Sequence, residues 1–322
     1  MSLPFDLPQR PRLGISACLL GEPVRYNGGH KESSLCSLTL AQHVDFVPLC
    51  PEVAIGLGTP REPIRLVGDP SAPRAVGSTR RQLDATEALA AYGRTMANEL
   101  SDISGYIFMQ KSPSCGLERV TVYQTDGQHA ARSGRGIFAR AFCALRPDLP
   151  VEEAGRLDDP VLRENFLTRV YAFAQWQALC RQGLSHNAII AFHSRYKYQL
   201  MANDPVQYKA LGRLVGTAGE HPAEELGPRY FSALMAALTK RATRRTHSNV
   251  LQHLCGYLKK HLNRAEKAEL QRLIEQYRSG IVPLVVPITL LKHHFNGHPD
   301  RYIAQQAYLQ PHPEALGLRN AL

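Results

Sequence analysis

An α/β N-terminal domain with a mainly parallel sheet, followed by an all-α C-terminal domain, is the fold class the sequence predicts. Two observations carry it. Short β-like runs alternate with loops and helical stretches through the first half of the chain. From about Asp159 onward the apolar periodicity becomes helical and stays so. The formal charge is also split unevenly: residues 1–150 hold 16 Lys and Arg against 14 Asp and Glu, a net +2, which leaves +8 of the total +10 for residues 151–322.

In the first half, three runs read as strands: Arg12–Ala17 (RLGISA), Asp45–Leu49 (DFVPL) and Gly105–Gln110 (GYIFMQ). Each leads within a few residues to a cysteine in a turn-rich segment, Cys18 before LLGEP, Cys50 before Pro51-Glu52, and Cys115 within KSPSCG. In a parallel α/β sheet such segments sit beyond the carboxyl ends of the strands, where ligand crevices form, so cysteines distant in sequence can meet. Between the second and third strands, Arg80–Leu100 is expected to form an amphipathic helix.

In the second half, Asp159-Pro160 reads as a helix start, and the run to Cys180 ends before Gly183. Further helices are expected at Ser185–Ala202, Pro205–Val215, Glu224–Thr243, His247–His261, Ala265–Tyr277, Pro287–Phe295 and Pro299–Leu309, punctuated by Gly and Pro. The division this implies is a first domain over 1–158, a linking helix over 159–184 and a basic helical domain over 185–322.

At 322 residues the chain can bury ample core and needs no disulfide or metal staple to fold. Its seven cysteines are odd in number and widely scattered, which argues against a secreted disulfide framework and for a reducing compartment. No signal-type apolar core occurs in Met1–Gly14, and Pro283 and Pro287 interrupt the apolar stretch Ile281–Leu291. A membrane helix needs ~20 apolar residues, so a cytoplasmic protein with no membrane partner is expected.

Cys36, Cys143, Cys180 and Cys255 lie in ordinary apolar or helical settings and read as small buried hydrophobes. Cys18, Cys50 and Cys115 differ, because each follows a strand in a Gly-, Pro- or Ser-flanked loop that can aim a thiolate into a crevice. Three soft thiolates suit zinc or an iron–sulfur cluster. Structural zinc usually takes four ligands, often in tight C-x-x-C pairs, and none is present. A cubane cluster tolerates scattered ligands, and with three cysteines one iron stays open as a Lewis acid. Neither a G-x-G-x-x-G after a strand nor a P-loop occurs, so no nicotinamide or nucleotide cofactor is expected.

Four motifs in order, CLLG with VRYNGGHK, then LCPE, then PREP (Pro60–Pro63), then KSPSCG, resemble the TudS-type thiouracil desulfidases over most of residues 12–143. From about Ser185 to Asn320, segments such as HSRYKY (His193–Tyr198), YRSG (Tyr277–Gly280) and PLVVPITLLKHH (Pro283–His294) resemble the helical domain of RudS-type tRNA 4-thiouridine desulfidases. The resemblance implies that Cys18, Cys50 and Cys115 carry a 4Fe-4S cluster, that Glu52 and Ser112 are the acid–base residues, and that the helical domain binds tRNA. Replacing a thiocarbonyl sulfur by water oxygen leaves the carbon oxidation level unchanged, so no reductant is required. Glu52 could otherwise cap the helix after Pro51, and Ser112 could be a turn residue.

For the RNA contacts, Arg241, Arg244 and Arg245 are expected on one helix face by their spacing, with Lys259 and Lys260 following, the latter paired with Arg264. His193, Arg195, Lys197 and Tyr198 form a second polar and aromatic cluster, where a ring can stack on an extruded base. Two other functions fit the same sequence: a desulfidase of free thiouracil bases, and a non-catalytic RNA-binding protein whose cluster is a sensor.

Overall fold

The computed structural model describes residues 10–79, 82–124 and 129–322. The chain divides into two compact units, one ending at Asp159 and the other Pro160–Leu322. No described helix is long and apolar enough to cross a membrane.

The first unit is built on a four-stranded, wholly parallel sheet in the order β2 (Asp45–Leu49), β1 (Arg12–Ser16), β5 (Tyr106–Phe108), β8 (Val151–Glu153). The apolar runs predicted as strands form three adjacent members of it, β2 at one edge and β1 and β5 inside, and β8, at the other edge, was not foreseen. Gly14 in β1 is required by packing: a Cβ there would lie 2.2 Å from the Tyr106 ring. That ring stacks on Phe108 at 4.0 Å between centroids and meets Phe142 at 5.3 Å, which anchors the sheet under α3 (Ile137–Leu145).

A second sheet, absent from the sequence-based expectation, has the order β4 (Arg74–Gly77), β3 (Ile64–Val67), β6 (Val120–Tyr123), β7 (His129–Gly134). It is mixed, with β3 and β6 parallel and both outer pairs antiparallel. Its inner face, including Leu66, Ala75 and Val122, closes a core with Leu89 of α2 (Thr86–Glu99) and Ile137. The predicted helix over Arg80–Leu100 is therefore shorter. Asp84 bridges to Val76 and accepts from the Thr86 amide at 2.9 Å, which starts the helix at Thr86, while Arg80 lies outside the described residues.

The second unit is helical throughout: α4 (Pro160–Arg181), α5 (His186–Asn203), α6 (Pro205–Gly216), α7 (Ala223–Leu238), α8 (Arg244–Tyr257), α9 (Arg264–Arg278), α10 (Val285–Gly297) and the short α11 (Arg301–Ala304). The helix expected to link two domains, α4, falls inside this unit. It buries polar side chains as well as apolar ones; Asn165 donates to the Leu238 carbonyl at 2.9 Å, and Glu164 takes the Arg319 guanidinium at 3.3 Å. Ser185 caps α5 and Asp204 caps α6, at the boundaries the sequence indicated.

Several helix ends differ from expectation, among them the expected Pro299–Leu309 helix, which is only Arg301–Ala304, and two of the differences concern the basic residues. The helix expected over Glu224–Thr243 stops at Leu238, because Asn203 holds the Lys240 carbonyl at 2.6 Å and Asp204 holds its ammonium at 2.5 Å. Thr243 and Thr246 then form a capping box that starts α8. Arg241 consequently lies in the irregular segment between the two helices, and Arg244 and Arg245 open the next helix, so the three do not form a stripe on one helix. Lys259 and Lys260 likewise lie in the turn beyond Tyr257, whereas Arg264 opens α9.

Candidate functional site

The parallel register sets the carboxyl ends of β1, β2 and β5 side by side, and the chain leaves each into a cysteine-bearing segment. Cys18 lies in a 3-10 turn (Ala17–Leu20), Cys50 at the start of the short helix α1 (Pro51–Ala54), and Cys115 in the loop after β5. All three line one cavity of about 510 Å³, together with Glu52, Arg61, Ser112 and Ser114. Cys36, Cys143, Cys180 and Cys255 do not line it.

The Cys115 loop is held by a dense set of close contacts. Lys111 adopts a left-handed conformation (φ 59°), which for a side chain beyond glycine costs about 1–3 kcal/mol and turns the chain sharply out of β5. The Ser112 hydroxyl then accepts the Cys115 amide at 3.1 Å and the Ser114 amide at 3.3 Å. Gly136, just before α3, fits against this loop so tightly that a Cβ would fall 2.5 Å from the Ser114 carbonyl. The Gly116 Cβ position is equally closed, at 2.9 Å from the Ser112 carbonyl oxygen.

Glu52 does not cap α1. Its Oε2 takes two contacts from the Arg61 guanidinium, Nε and Nη2 both at 2.8 Å, in a pair that is 5% exposed on the Arg and 13% on the Glu. Its Oε1 accepts a short hydrogen bond from the Ser114 hydroxyl. Ser114 in turn lies 3.0 Å from the Ser112 hydroxyl. The result is a hydrogen-bonded chain, Arg61 to Glu52 to Ser114 to Ser112, along one wall of the cavity. Arg61 also donates to the carbonyls of Val24 and Gly58, both at 2.9 Å, so its fork is fully used. Val24's carbonyl further accepts from the Cys50 thiol at 3.7 Å.

Burial, followed by the neighbouring Cys50, pushes the Cys18 thiol up to about 11, and Arg25 pulls the other way. Cys115 is raised further, by burial first and the Glu52 charge second, and Cys50 is raised by burial. Such thiols stay protonated unless a cationic partner takes them as thiolates. Among the described residues no three His, Cys, Asp or Glu side chains converge closely enough for a single metal ion. Three soft donors spread around a cavity of this size suit a multinuclear cluster, so the residues present fit an iron–sulfur group.

Sequence reasoning brought Cys18, Cys50, Cys115, Glu52 and Ser112 to one cavity. It assigned no catalytic role to Ser114 or Arg61, whereas both are hydrogen-bonded to Glu52. The spacing of PREP after LCPE was the available signal for Arg61. In the helical unit, Arg195 turns inward to Gln175 at 3.1 Å and the Gln305 carbonyl at 3.2 Å. Arg244 donates to the Tyr277 carbonyl at 2.9 Å and covers its ring. Tyr196 and Tyr198 are core residues. Lys197 is half-buried, with its ammonium near the Tyr198 and Tyr302 rings.

Comparison with known proteins gives two family matches: 2-thiouracil desulfurase over residues 13–154, and a protein of unknown function, DUF1722, over residues 197–313. The chain is 32% identical over 161 residues to YbgA of Escherichia coli (strain K12), covering 49% of this chain and 94% of that protein. It is 35% identical over 109 residues to YbbK of Bacillus subtilis (strain 168), covering 32% of this chain and 71% of that one. Among solved structures, the 4Fe-4S-dependent thiouracil desulfidase TudS aligns at 30% identity, with a TM-score of 0.33, over 47% of this chain and 95% of its own. Residues 13–154 therefore place the chain in the 2-thiouracil desulfurase family, joined to a helical DUF1722 region.

Proposed function

We propose that the protein is a 4Fe-4S-dependent tRNA desulfidase that replaces the sulfur of a thiolated uridine, 4-thiouridine in the first instance, with oxygen from water. One observation supports the reading most: Cys18, Cys50, Cys115 and the chain Glu52–Ser114–Ser112 all face a single cavity. Cys18, Cys50 and Cys115 would hold the cluster. When bound, a cluster with three protein ligands supplies one open iron, a Lewis acid toward the substrate sulfur.

The reaction exchanges a thiocarbonyl for a carbonyl. A carbon–oxygen bond forms, a carbon–sulfur bond breaks, hydrogen sulfide leaves, and no electrons are transferred overall. Glu52 takes the proton of the attacking water. Arg61 fixes Oε2 and leaves Oε1 on the Ser114 side, so the carboxylate presents one oxygen in a set direction. Ser114 and Ser112, 3.0 Å apart, carry a proton along the cavity wall to the ring nitrogen or the departing sulfur.

The tRNA part of the reading rests on the net +8 of residues 151–322 and on the resemblance of the helical half. Its test pairs two substrates: tRNA containing 4-thiouridine and free 4-thiouracil, each given to anaerobically reconstituted protein. The reading predicts faster turnover of the tRNA at matched micromolar concentrations. Turnover of the free base alone would move the function to base salvage.

A further inference from the structure

The helical unit carries a second concave site, unrelated to the residues the sequence put forward as a basic stripe. It is an open groove of about 670 Å³ between α5 and α6, lined by His193, Ser194 and Lys197 on one side, Tyr208, Lys209, Gly212 and Arg213 on the other, and Tyr302 at one end. His193, Ser194 and Lys197 share one face of α5 by their three- and four-residue spacing, as do Tyr208, Gly212, Lys209 and Arg213 on α6. No carboxylate lines it. Lys209 and Arg213 are exposed and have no ion-pair partner among the described residues, unlike Lys240 and Arg61, which are held by carboxylates.

Gly212 supplies an independent observation. It lies inside α6, where glycine is less favourable than alanine, and its backbone is not left-handed. A Cβ there would meet only the His193 ring nitrogen, at 3.9 Å. Neither conformation nor crowding requires the glycine. Its effect is to leave the α6 wall of the groove open beside His193.

We infer that this groove binds single-stranded or looped RNA, with an unstacked base entering against Tyr208 beside Gly212 and the flanking phosphates taken by Lys197, Lys209 and Arg213. The chemistry fits: three cations answer a phosphate backbone, and an aromatic ring stacks any base face. The inference rests on the proposed tRNA substrate, and it names the surface through which that substrate is held.

The test uses the full chain with bulk bacterial tRNA and a single-stranded oligouridylate as probes, binding being measured over a range of salt. Two variants separate charge from shape: the triple change Lys197→Gln, Lys209→Gln, Arg213→Gln, and Gly212→Met, which fills that opening without altering charge. Melting curves check that each is folded. The triple variant is expected to weaken tRNA binding at least tenfold. It should also flatten the log–log salt slope by about 2, at roughly 0.7 per single-stranded phosphate contact. Gly212→Met is expected to weaken both probes while leaving the slope nearly unchanged. Wild-type affinity in both variants overturns the groove and leaves the tRNA reading standing. Loss in the triple variant alone, matched by equal loss of heparin binding, overturns the base pocket in favour of a plain cationic surface. Absence of tRNA binding by the wild type overturns the tRNA reading itself.

Discussion

Exchanging Arg61 for Met tests the wall of the cysteine cavity most sharply, because it removes the charge that faces Glu52 while keeping most of the side-chain volume. Both partners are well buried, at 5% and 13% exposure, and the guanidinium makes four close contacts to Glu52, Val24 and Gly58. Breaking a buried pair from one side leaves an uncompensated charge and costs about 3–5 kcal/mol. For a unit of this size that corresponds to a fall in melting temperature of about 6–20 °C. Neutralising the partner as well should recover part of the loss, so Glu52→Gln added to Arg61→Met is expected to be less harmful than the sum of the two single changes. The coupling energy should reach about 2 kcal/mol. Scanning calorimetry of the wild type, both single variants and the double variant completes the cycle. Additivity within about 0.5 kcal/mol would refute the pairing and with it the claim that Arg61 sets the direction of Glu52.

Four further outcomes follow from the same structure. Glu52→Gln should keep the cluster absorbance and lower desulfuration by roughly 10²–10⁴, measured as sulfide release, and near-normal turnover would remove Glu52 from the chemistry. Ser114→Ala should lower turnover more than its effect on melting temperature accounts for; an equal effect of Ser114→Ala and Ser114→Thr on rate would argue against a proton path through this hydroxyl. Gly136→Ala drives a methyl into the Ser114 backbone and should cost cluster occupancy as well as stability, read from iron content per chain. Burial holds His193 and His247 down to about 4 in the folded helical unit, so the unfolded chain binds more protons below the ordinary histidine value of about 6.5. The stability of that unit, followed by the single Trp176, should therefore fall as pH drops from about 6.5 toward 4, and a flat profile over that window would contradict the assignment.

The parts of the fold that were legible in the sequence are those dictated by strong local patterns. RLGIS and the run around Tyr106–Phe108 are apolar enough on both faces to declare buried parallel strands, DFVPL is a half-exposed edge strand beside them, and a parallel sheet sets the cysteines that follow all three at one end. The second sheet was hidden because its strands, such as RAVG and HAARSG, are short and carry polar or small residues, and only their pairing and the α2 face make them a core. Ser114 and Arg61 were underrated for a related reason. Their roles exist only once the loop after β5 and the PREP segment fold back onto Glu52. The basic stripe failed because spacing was counted across a helix end. Asn203 and Asp204, nearly forty residues earlier, tie down Lys240 and stop α7, a tertiary effect that periodicity cannot report.

Sulfur–oxygen exchange itself can be followed directly. Anaerobically reconstituted protein, given 4-thiouridine-containing tRNA in water enriched in oxygen-18, should yield uridine carrying the heavy oxygen and one sulfide for each uridine formed, by nucleoside mass spectrometry and sulfide assay. The same preparation of Cys18→Ala, Cys50→Ala or Cys115→Ala should yield neither, while Cys36→Ala, Cys143→Ala, Cys180→Ala and Cys255→Ala should retain their clusters. Thiouridine recovered unchanged from wild-type protein with a full cluster, or heavy uridine formed by Cys50→Ala, would contradict the account.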